Sequence, residues 1–321
     1  MRILVLGGTR FLGRALVDAA LTRGHELTLF NRGRSNPHLY PEVERLVGDR
    51  AGELVALRGR TWDAVIDTCG YVPHVVAASL EALSSSGLYC FVSSISVYAD
   101  FGVPVDESSD LAELGDLPDD EVTDESYGAL KALCERAVTA AFGNRSIVVR
   151  PGLITGPHDP TGRFTYWPHR LTRGGEVLAP APPEKQLQSI DVRDLGAWIV
   201  SACEAEVTGV YNATHPGFTW RELLDACRSV ARSDATVTWV APEFLAEREV
   251  GEWMELPLWI RDPKLAYADR VDVSRARAAG LELRPLEDAV RGALEQAETT
   301  DTAGLAPERE ATLLAEWHAR G

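Results

Sequence analysis

The stretch that decides the fold lies at the start of the chain: Ile3-Leu4-Val5-Leu6-Gly7-Gly8-Thr9-Arg10-Phe11-Leu12-Gly13. An apolar strand runs into a glycine-rich turn, and a helix is predicted over Leu12–Arg23, closed by Gly24. Glycine takes a sharp turn that a Cβ would oppose, and the free N–H groups of a helix start attract a pyrophosphate. The order therefore predicts a dinucleotide site, with a tight turn that holds no ligand as the alternative.

The first half of the chain alternates short apolar runs with amphipathic stretches, a pattern typical of a parallel sheet covered by helices. We expect an α/β fold: a Rossmann-type, doubly wound parallel sheet with a smaller, mostly helical C-terminal substrate portion. Two turn-rich segments, Asp100–Glu125 and Gly152–Pro183, are predicted to be loops. The predicted regular elements are Arg2–Leu6, Glu26–Phe30, Ala64–Asp67, Leu88–Ser93, Tyr127–Phe142, Ser146–Arg150, Leu195–Ala205, Gly209–Asn212 and Pro307–Ala319.

The predicted domains are discontinuous. Residues 1–160 and about 188–215 form the dinucleotide-binding domain, because they carry the alternating strand and helix pattern. Residues about 161–187 and 216–296 form the substrate-binding portion. Residues 297–321 form a linker, flexible over Thr299–Ala306, and a C-terminal helix.

The bulk composition excludes several classes of protein. In 321 residues, no run approaches the roughly 18 apolar residues that span a bilayer, and Gly7-Gly8 stops the opening run too early for a signal peptide. We therefore expect a cytoplasmic protein. The net charge of −16 argues against general binding of nucleic acid or anionic membranes, although a local pair of arginines can still hold a phosphorylated ligand.

Cysteine and histidine spacing gives no sign of a disulfide framework or a metal site. The five cysteines are far apart and odd in number, and none forms a CxxC pair. The seven histidines are scattered without an HExxH spacing. No protein-held metal is predicted.

The end of the second predicted strand distinguishes between two cofactors. NAD-binding folds usually place Asp or Glu there, about 20 residues after the glycine loop, to hold the ribose hydroxyls. Here the chain has Asn31-Arg32-Gly33-Arg34, so the carboxylate is absent and two arginines can grip a 2′-phosphate, with Arg10 as a third. NADP(H) is favoured over NAD(H), the alternative being that these are solvated loop charges. Asp49 falls where a carboxylate can meet the adenine amino group.

Three further residues suggest a catalytic set. Tyr127 and Lys131 are four residues apart, hence on one face of a predicted helix. A neighbouring ammonium favours the phenolate of a tyrosine, whose pKa is otherwise near 10. Ser94, at the end of an apolar strand, can hydrogen-bond a substrate oxygen and orient it toward Tyr127. The alternatives are a chance Tyr–Lys spacing and a serine-rich strand end.

Together, the glycine loop, Ser93-Ser94…Val97-Tyr98, Tyr127…Lys131 and Val149-Arg150-Pro151-Gly152 resemble the extended short-chain dehydrogenase/reductases, the NAD(P)-dependent epimerase/dehydratase family. The resemblance covers roughly residues 1–290 and implies catalytic roles for Ser94, Tyr127 and Lys131. The implied cofactor residues are Gly7, Thr9, Arg10, Phe11, Leu12, Gly13, Asn31, Arg32, Arg34, Asp49, Thr68, Cys69, Gly70, Tyr127, Lys131, Pro151 and Leu153.

The form of the glycine loop is most similar to a branch that includes chloroplast stem-loop RNA-binding proteins and bacterial reductases. The net charge and the complete Ser–Tyr–Lys set argue against RNA association. Ile95 and Ser96 stand where sugar 4,6-dehydratases of the family have an Asp–Glu pair, so dehydration is disfavoured. A hydride-transferring reductase or dehydrogenase, a nucleotide-sugar epimerase and a non-catalytic NADP(H)-binding protein remain open.

The substrate is expected to be a small molecule, phosphorylated or nucleotide-linked if Arg163 and Arg170 bind it. Relatives often pair through helices, so a homodimer is also open. His158 is either a second acid/base or a surface histidine, and the aromatic residues either contact substrate or belong to a core. The candidate substrate residues are Ser96, His158, Arg163, Tyr166 and Trp167.

Overall fold

A seven-stranded parallel sheet organises the first of two units in a computed structural model that describes residues 1–295 and 303–320. The first unit comprises Met1–Gly152, Val192–Thr214 and Val271–Glu282. The second comprises Leu153–Asp191, His215–Arg270 and Leu283–Gly321. No helix within the described ranges is long and apolar enough to cross a membrane.

The strands are β1 Arg2–Leu6, β2 Glu26–Asn31, β3 Glu44–Val47, β4 Ala64–Asp67, β5 Leu88–Val92, β6 Ser146–Pro151, β7 Leu153–Thr155, β8 Glu176–Pro180, β9 Gln186–Leu187, β10 Ser189–Asp191, β11 Gly209–Ala213, β12 Phe218–Thr219, β13 Thr236–Val240, β14 Glu252–Trp253 and β15 Leu256–Pro257. The helices are α1 Phe11–Thr22, α2 Pro73–Ala82, α3 Tyr127–Phe142, α4 Tyr166–Thr172, α5 Val192–Glu204, α6 Trp220–Ala231, α7 Pro242–Glu247, α8 Ser274–Ala278, α9 Leu286–Glu295 and α10 Pro307–His318.

In the first unit the strand order is β11-β6-β5-β4-β1-β2-β3, and each neighbouring pair is parallel. Leu6 pairs with both Phe30 and Asp67, so the carboxyl ends of β1, β2 and β4 meet at one edge. Helix α1 packs on α5, and α2 packs on α3. The central strands β1, β4 and β5 are buried over nearly their whole length, as expected for a sheet covered on both faces. The predicted Rossmann fold is confirmed.

The second unit has a separate core rich in aromatic side chains, among them Phe164, Trp167 and Trp220. Strand β8 pairs in parallel with β13. Helix α10 is anchored by the buried Glu310, whose carboxylate accepts from Arg170 Nε at 2.5 Å and from the Leu178 N–H at 3.0 Å. The C-terminal helix is therefore part of this core.

One structural prediction is wrong: Gly152–Pro183 is not a loop but contains β7, α4 and β8. The prediction rested on the prolines and glycines of this segment. However, Pro168 lies in the first turn of α4, where its missing N–H has no intrahelical partner to lose. Burial of Trp167 and Leu171 in the core stabilises the helix. The segment Asp100–Glu125, by contrast, contains no helix or strand.

The division into units differs from the predicted boundaries at three places. The first unit ends at Gly152 rather than at residue 160, and Val271–Glu282 returns to it. Leu283–Gly321 belongs to the second unit. Of the predicted linker, residues 299–302 lie outside the described ranges, while Leu305 is buried. The functional roles of the two portions stay predictions.

Candidate active site

The glycine loop between β1 and α1 is shaped by contacts that exclude a side chain. Gly7 has a φ of +113°, and a Cβ there would lie 2.5 Å from Thr68 Oγ1. Gly13 lies in α1, where a Cβ would come within 2.8 Å of the Gly8 nitrogen. Helix α1 can therefore start directly against the loop backbone. The missing side chains at Gly7 and Gly13 leave open space beside this backbone, which is called the cradle below.

Two asparagines hold this loop from the end of β2. Asn31 Nδ2 donates to the Gly7 carbonyl at 2.8 Å, and Asn36 Nδ2 donates to the Thr9 carbonyl at 2.8 Å. Asn31, which the sequence placed in the cofactor site, therefore uses its amide to position the loop backbone. At the start of α1, the Arg10 side chain makes no capping hydrogen bond. The cradle and this uncapped helix start fit a dinucleotide pyrophosphate.

Three predicted phosphate-binding arginines, Arg10, Arg32 and Arg34, are exposed. Within the described part of the chain, none of them forms an ion pair. Asp49 is half-buried, and its carboxylate accepts from the Ala51 N–H at 3.0 Å. The arginines thus keep their donors available beside the glycine loop and β2.

Ser94 and Tyr127 come together because α3 begins against the 3-10 helix Ile95–Val97. A Cβ at Gly128 would lie 2.1 Å from the Ser96 carbonyl oxygen, so only glycine permits this approach. Ser94 Oγ accepts from the Ser96 N–H at 3.1 Å and donates to Ser96 Oγ at 3.0 Å. Burial raises the pKa of Tyr127, and a side-chain hydrogen bond with Ser94 partly opposes this.

Lys131 is fully enclosed one turn further along α3. Its Nζ donates to the Gly70 carbonyl at 2.6 Å and to the Val92 carbonyl at 2.7 Å. It also lies 4.1 Å from the centre of the Phe91 ring and 5.3 Å from that of Tyr71. Burial lowers the pKa of Lys131 to about 8. Since an ammonium has three donors, one remains for a ligand.

Sequence reasoning missed a buried ion pair beneath this lysine. Arg50 binds both oxygens of Asp67 at 2.7 and 2.9 Å, and the Tyr89 hydroxyl donates to the same carboxylate at 2.8 Å. Burial raises the pKa of Asp67, but the Arg50 guanidinium and the hydrogen bonds from Cys69 and Tyr89 together outweigh this effect, so the pKa is lowered overall. The Asp67 carboxylate also accepts from the Cys69 N–H at 3.1 Å. The pair therefore fixes the loop whose Gly70 carbonyl holds Lys131.

The residues after β4 link the glycine loop to the candidate catalytic side chains. Thr68 Oγ1 donates to the Leu6 carbonyl at 2.8 Å, and Cys69 Sγ approaches the same oxygen at 3.4 Å. Tyr71 keeps 45% of its surface exposed, and its ring centroid lies 6.4 Å from that of Tyr127. Sequence reasoning missed Tyr71 because a single tyrosine outside the predicted strands and helices carries no spacing signal.

The aromatic substrate candidates are corrected by the structure. Trp167 is fully buried and donates from Nε1 to the Pro257 carbonyl at 3.1 Å, and Tyr166 is 9% exposed in the same core. Both take the core role that the sequence had left open. Arg170 is committed to Glu310 and to the Gly174 carbonyl.

The remaining candidates lie at accessible or intermediate positions. Ser96 is exposed beside Ser94, and His158 is half-buried with a φ of +64°. Pro151 is buried at the end of β6, whereas Leu153 packs against the core of the second unit. Among the residues that the structure describes, no three histidine, cysteine or acidic side chains are grouped closely enough to hold a metal ion.

The sheet order and the glycine loop define a Rossmann-fold protein. The model of the NAD dependent epimerase/dehydratase family matches residues 3–214. The chain belongs to this family.

Individual relatives include a stem-loop binding protein and a reductase. The chain is 28% identical over 212 residues to the chloroplast stem-loop binding protein of 41 kDa b of Arabidopsis thaliana, covering 60% of this chain and 53% of that protein. It is 29% identical over 188 residues to a 2-alkyl-3-oxoalkanoate reductase of Stenotrophomonas maltophilia, covering 50% and 52%. The matches thus span about half the length of these curated relatives.

Among solved structures, the Bordetella bronchiseptica enzyme WbmH in complex with NAD+ has a TM-score of 0.70. The match covers 93% of this chain and 99% of WbmH, at 17% identity. At that identity, the likeness concerns the fold alone.

Proposed function

We propose that the protein is an NADP(H)-dependent oxidoreductase that transfers hydride to or from a carbonyl or alcohol carbon through Ser94, Tyr127 and Lys131. The observation that carries this proposal is the placement of these three side chains in one unit with the glycine loop. Lys131 is bound to the Gly70 carbonyl, and the loop Thr68–Gly70 is bound to Leu6, directly before the glycines.

Each side chain has a separate chemical role. Ser94 donates a hydrogen bond to the substrate oxygen, and Tyr127 gives or takes the proton of that oxygen. Because burial raises the pKa of Tyr127, its phenol is protonated at neutral pH and suits carbonyl reduction. Lys131 binds the ribose hydroxyls of the cofactor with its remaining donor, and its charge favours the phenolate after proton transfer. The nicotinamide, when bound, supplies the exchangeable hydride.

The cofactor preference follows from charge. The glycine loop and the start of α1 would hold the pyrophosphate, and Arg10, Arg32 and Arg34 would hold the 2′-phosphate. These arginines are exposed and lack ion pairs within the described residues, so binding a phosphate would break no existing contact. An NAD(H) preference would need a carboxylate at the end of β2, where this chain has Asn31.

A carbonyl substrate is supported by the name of the Stenotrophomonas relative, a 2-alkyl-3-oxoalkanoate reductase. An epimerase that oxidises its substrate transiently is the second candidate, and the name of the family supports it. Dehydration is disfavoured, because neither Ile95 nor Ser96 can serve as the acid or base for water elimination. A cytoplasmic location and a homodimer stay predictions.

Fluorescence titration with NADPH and with NADH tests the proposal. We expect wild type to bind NADPH more tightly, and the double variant Arg32→Gln/Arg34→Gln to lose about tenfold or more of NADPH affinity while NADH binding changes little. Arg58→Gln, at an exposed arginine of the same unit, serves as the control. Equal loss for both nucleotides, or binding of neither by wild type, would overturn the cofactor assignment.

A further inference from the structure

Tyr71, between β4 and α2 of the first unit, is an exposed aromatic side chain beside two candidate catalytic residues. The centre of its ring lies 6.4 Å from that of Tyr127 and 5.3 Å from Lys131 Nζ. Within the part of the chain that the structure describes, the Tyr71 hydroxyl makes no hydrogen bond. The ring therefore makes the contacts of Tyr71 with these residues.

The backbone on either side of Tyr71 holds this ring in place. Before it, the Gly70 carbonyl accepts from Lys131 Nζ at 2.6 Å. After it, Val72 caps α2, and Pro73 is the first residue of that helix, where its fixed φ is already helical. The ring is thus anchored beside the lysine from both directions along the chain.

Lys131 is a buried cation that forms no ion pair among the described residues. The two carboxylates nearest in charge effect are already bound, Asp67 by Arg50 at 2.7 Å and Glu135 by Arg150 at 2.6 Å. The ammonium instead contacts two carbonyl oxygens and the faces of two aromatic rings, which attract a cation. The titratable and charged groups around Lys131 are Arg50, Asp67, Cys69, Tyr71, Tyr127, Cys134 and Glu135.

Tyr71 forms the outer side of this lysine site. Of the four residues that contact the ammonium, Gly70, Phe91 and Val92 are buried, whereas Tyr71 is 45% exposed. Burial and the neighbouring Tyr127 raise the pKa of Tyr71 to about 12, so its ring stays neutral while Lys131 titrates. Removing the ring would open the ammonium to water, and a hydrated ammonium regains its ordinary basicity.

We propose that Tyr71 is a positioning residue, whose ring closes the outer side of the lysine site and keeps water from the Lys131 ammonium. A charge acts more strongly on its neighbours where water is excluded, so the ring increases the effect of Lys131 on Tyr127. This contribution to turnover rests on the proposed function. The enclosure of the lysine by Tyr71 does not.

The test is NMR titration of the full chain, because the protein has only three lysines, Lys131, Lys185 and Lys264. Carbon-13 labelling at lysine Cε gives one signal for each, and the signal absent in Lys131→Met identifies Lys131. We expect this signal to report a pKa of about 8 in wild type. In Tyr71→Ala the pKa should rise toward its ordinary value by about one unit or more, whereas Tyr71→Phe, which keeps the ring, should titrate like wild type. Val103→Ala, at another exposed apolar side chain of the same unit, is the matched control.

Three results would overturn the enclosure: an ordinary lysine pKa in wild type, an unchanged pKa in Tyr71→Ala, or an equal rise in Tyr71→Phe. If Tyr71→Ala does not fold, Tyr71→Gln replaces it. Its flexible polar side chain also removes the ring, so the same rise in the pKa of Lys131 is expected.

The pH dependence of NADPH turnover separates this role from the proposed function. In wild type, turnover that needs the Lys131 ammonium falls as the pH rises through its pKa, and in Tyr71→Ala this fall should move upward together with the NMR titration. A pH profile that does not follow the lysine would overturn the contribution of Tyr71 to turnover. If wild type neither binds NADPH nor turns over, the oxidoreductase assignment fails, while a raised lysine pKa in Tyr71→Ala still supports the enclosure.

Discussion

Tyr127 has the clearest expected phenotype at the scale of single residues. Removing its hydroxyl removes the proton donor while leaving the ring and its 6.4 Å packing on Tyr71. We expect Tyr127→Phe to bind NADPH like wild type and to lose turnover by a factor of about 10² or more. The measurement is NADPH consumption on a carbonyl substrate found by screening wild type. Tyr211→Phe, whose hydroxyl only donates to the Thr208 carbonyl, is the matched control, and near-normal turnover of Tyr127→Phe would refute the assignment.

The lowered pKa of Lys131 predicts that the free energy of unfolding depends on pH. Its pKa is about 8 in the folded protein and ordinarily 10.5, so between these values the unfolded chain binds more protons than the folded one. Raising the pH through this window therefore stabilises the fold at this residue, by about 2 kcal/mol from about pH 7 to about pH 10. The measurement is the unfolding free energy of wild type minus that of Lys131→Met, in which all other titrating groups cancel. If this difference in unfolding free energy stays constant or falls as the pH rises, the Lys131 ammonium is not enclosed and desolvated.

At the scale of secondary-structure elements, the junction of β1 and α1 gives the sharpest test. Alanine is ordinarily favoured over glycine within a helix, but at Gly13 a Cβ would meet the Gly8 backbone at 2.8 Å. We expect Gly13→Ala to shift the start of α1 and weaken NADPH binding at least about tenfold. Gly52→Ala, where no atom lies within 4 Å of the added Cβ, should bind NADPH normally. Equal affinity of both variants would show that the close approach of helix and loop does not matter for the cofactor.

The sequence predicted those helices and strands best whose burial follows a regular pattern along the chain. Strand β1 and helix α3 agree with their predicted bounds, because a continuous apolar run and an amphipathic stretch that ends at Gly143 are unambiguous. Strand β3 at Glu44–Val47 was missed, since its short, partly polar sequence is typical of a sheet edge. Helix α4 was missed because its stability comes from burying Trp167 in a core formed by residues distant in sequence.

The sequence predicted the part of the candidate site whose residues lie on one helix, because their spacing fixes their geometry. It did not predict the part that depends on contacts between residues distant in sequence. Tyr127 and Lys131 share a helix, so their relation could be derived from four residues of spacing. Arg50 and Tyr89, in contrast, meet Asp67 across 17 and 22 residues, through the order of strands in the sheet. A single sequence does not specify which arginine will be drawn into the sheet edge to neutralise a buried carboxylate.

At the scale of the whole molecule, the net charge favours the proposed oxidoreductase over the RNA-associated alternative raised in the sequence analysis. The chain has 48 acidic against 32 basic side chains. Binding to a nucleic acid depends on lysines and arginines that neutralise phosphates, and it falls steeply with salt. A net charge of −16 opposes the approach of a polyanion, whereas a dinucleotide needs only the local arginines beside the glycine loop.

We therefore expect no shift of a stem-loop RNA by this protein in a gel retardation assay at about 0.15 M salt. The Arabidopsis stem-loop binding protein is the positive control. If weak binding occurs at low salt, Arg10, Arg32 and Arg34 are the expected contacts, so NADPH should displace the RNA and Arg32→Gln/Arg34→Gln should abolish the shift. An RNA complex that persists at about 0.15 M salt and is unaffected by NADPH would place RNA recognition elsewhere on the surface. It would favour the RNA-associated function over the oxidoreductase.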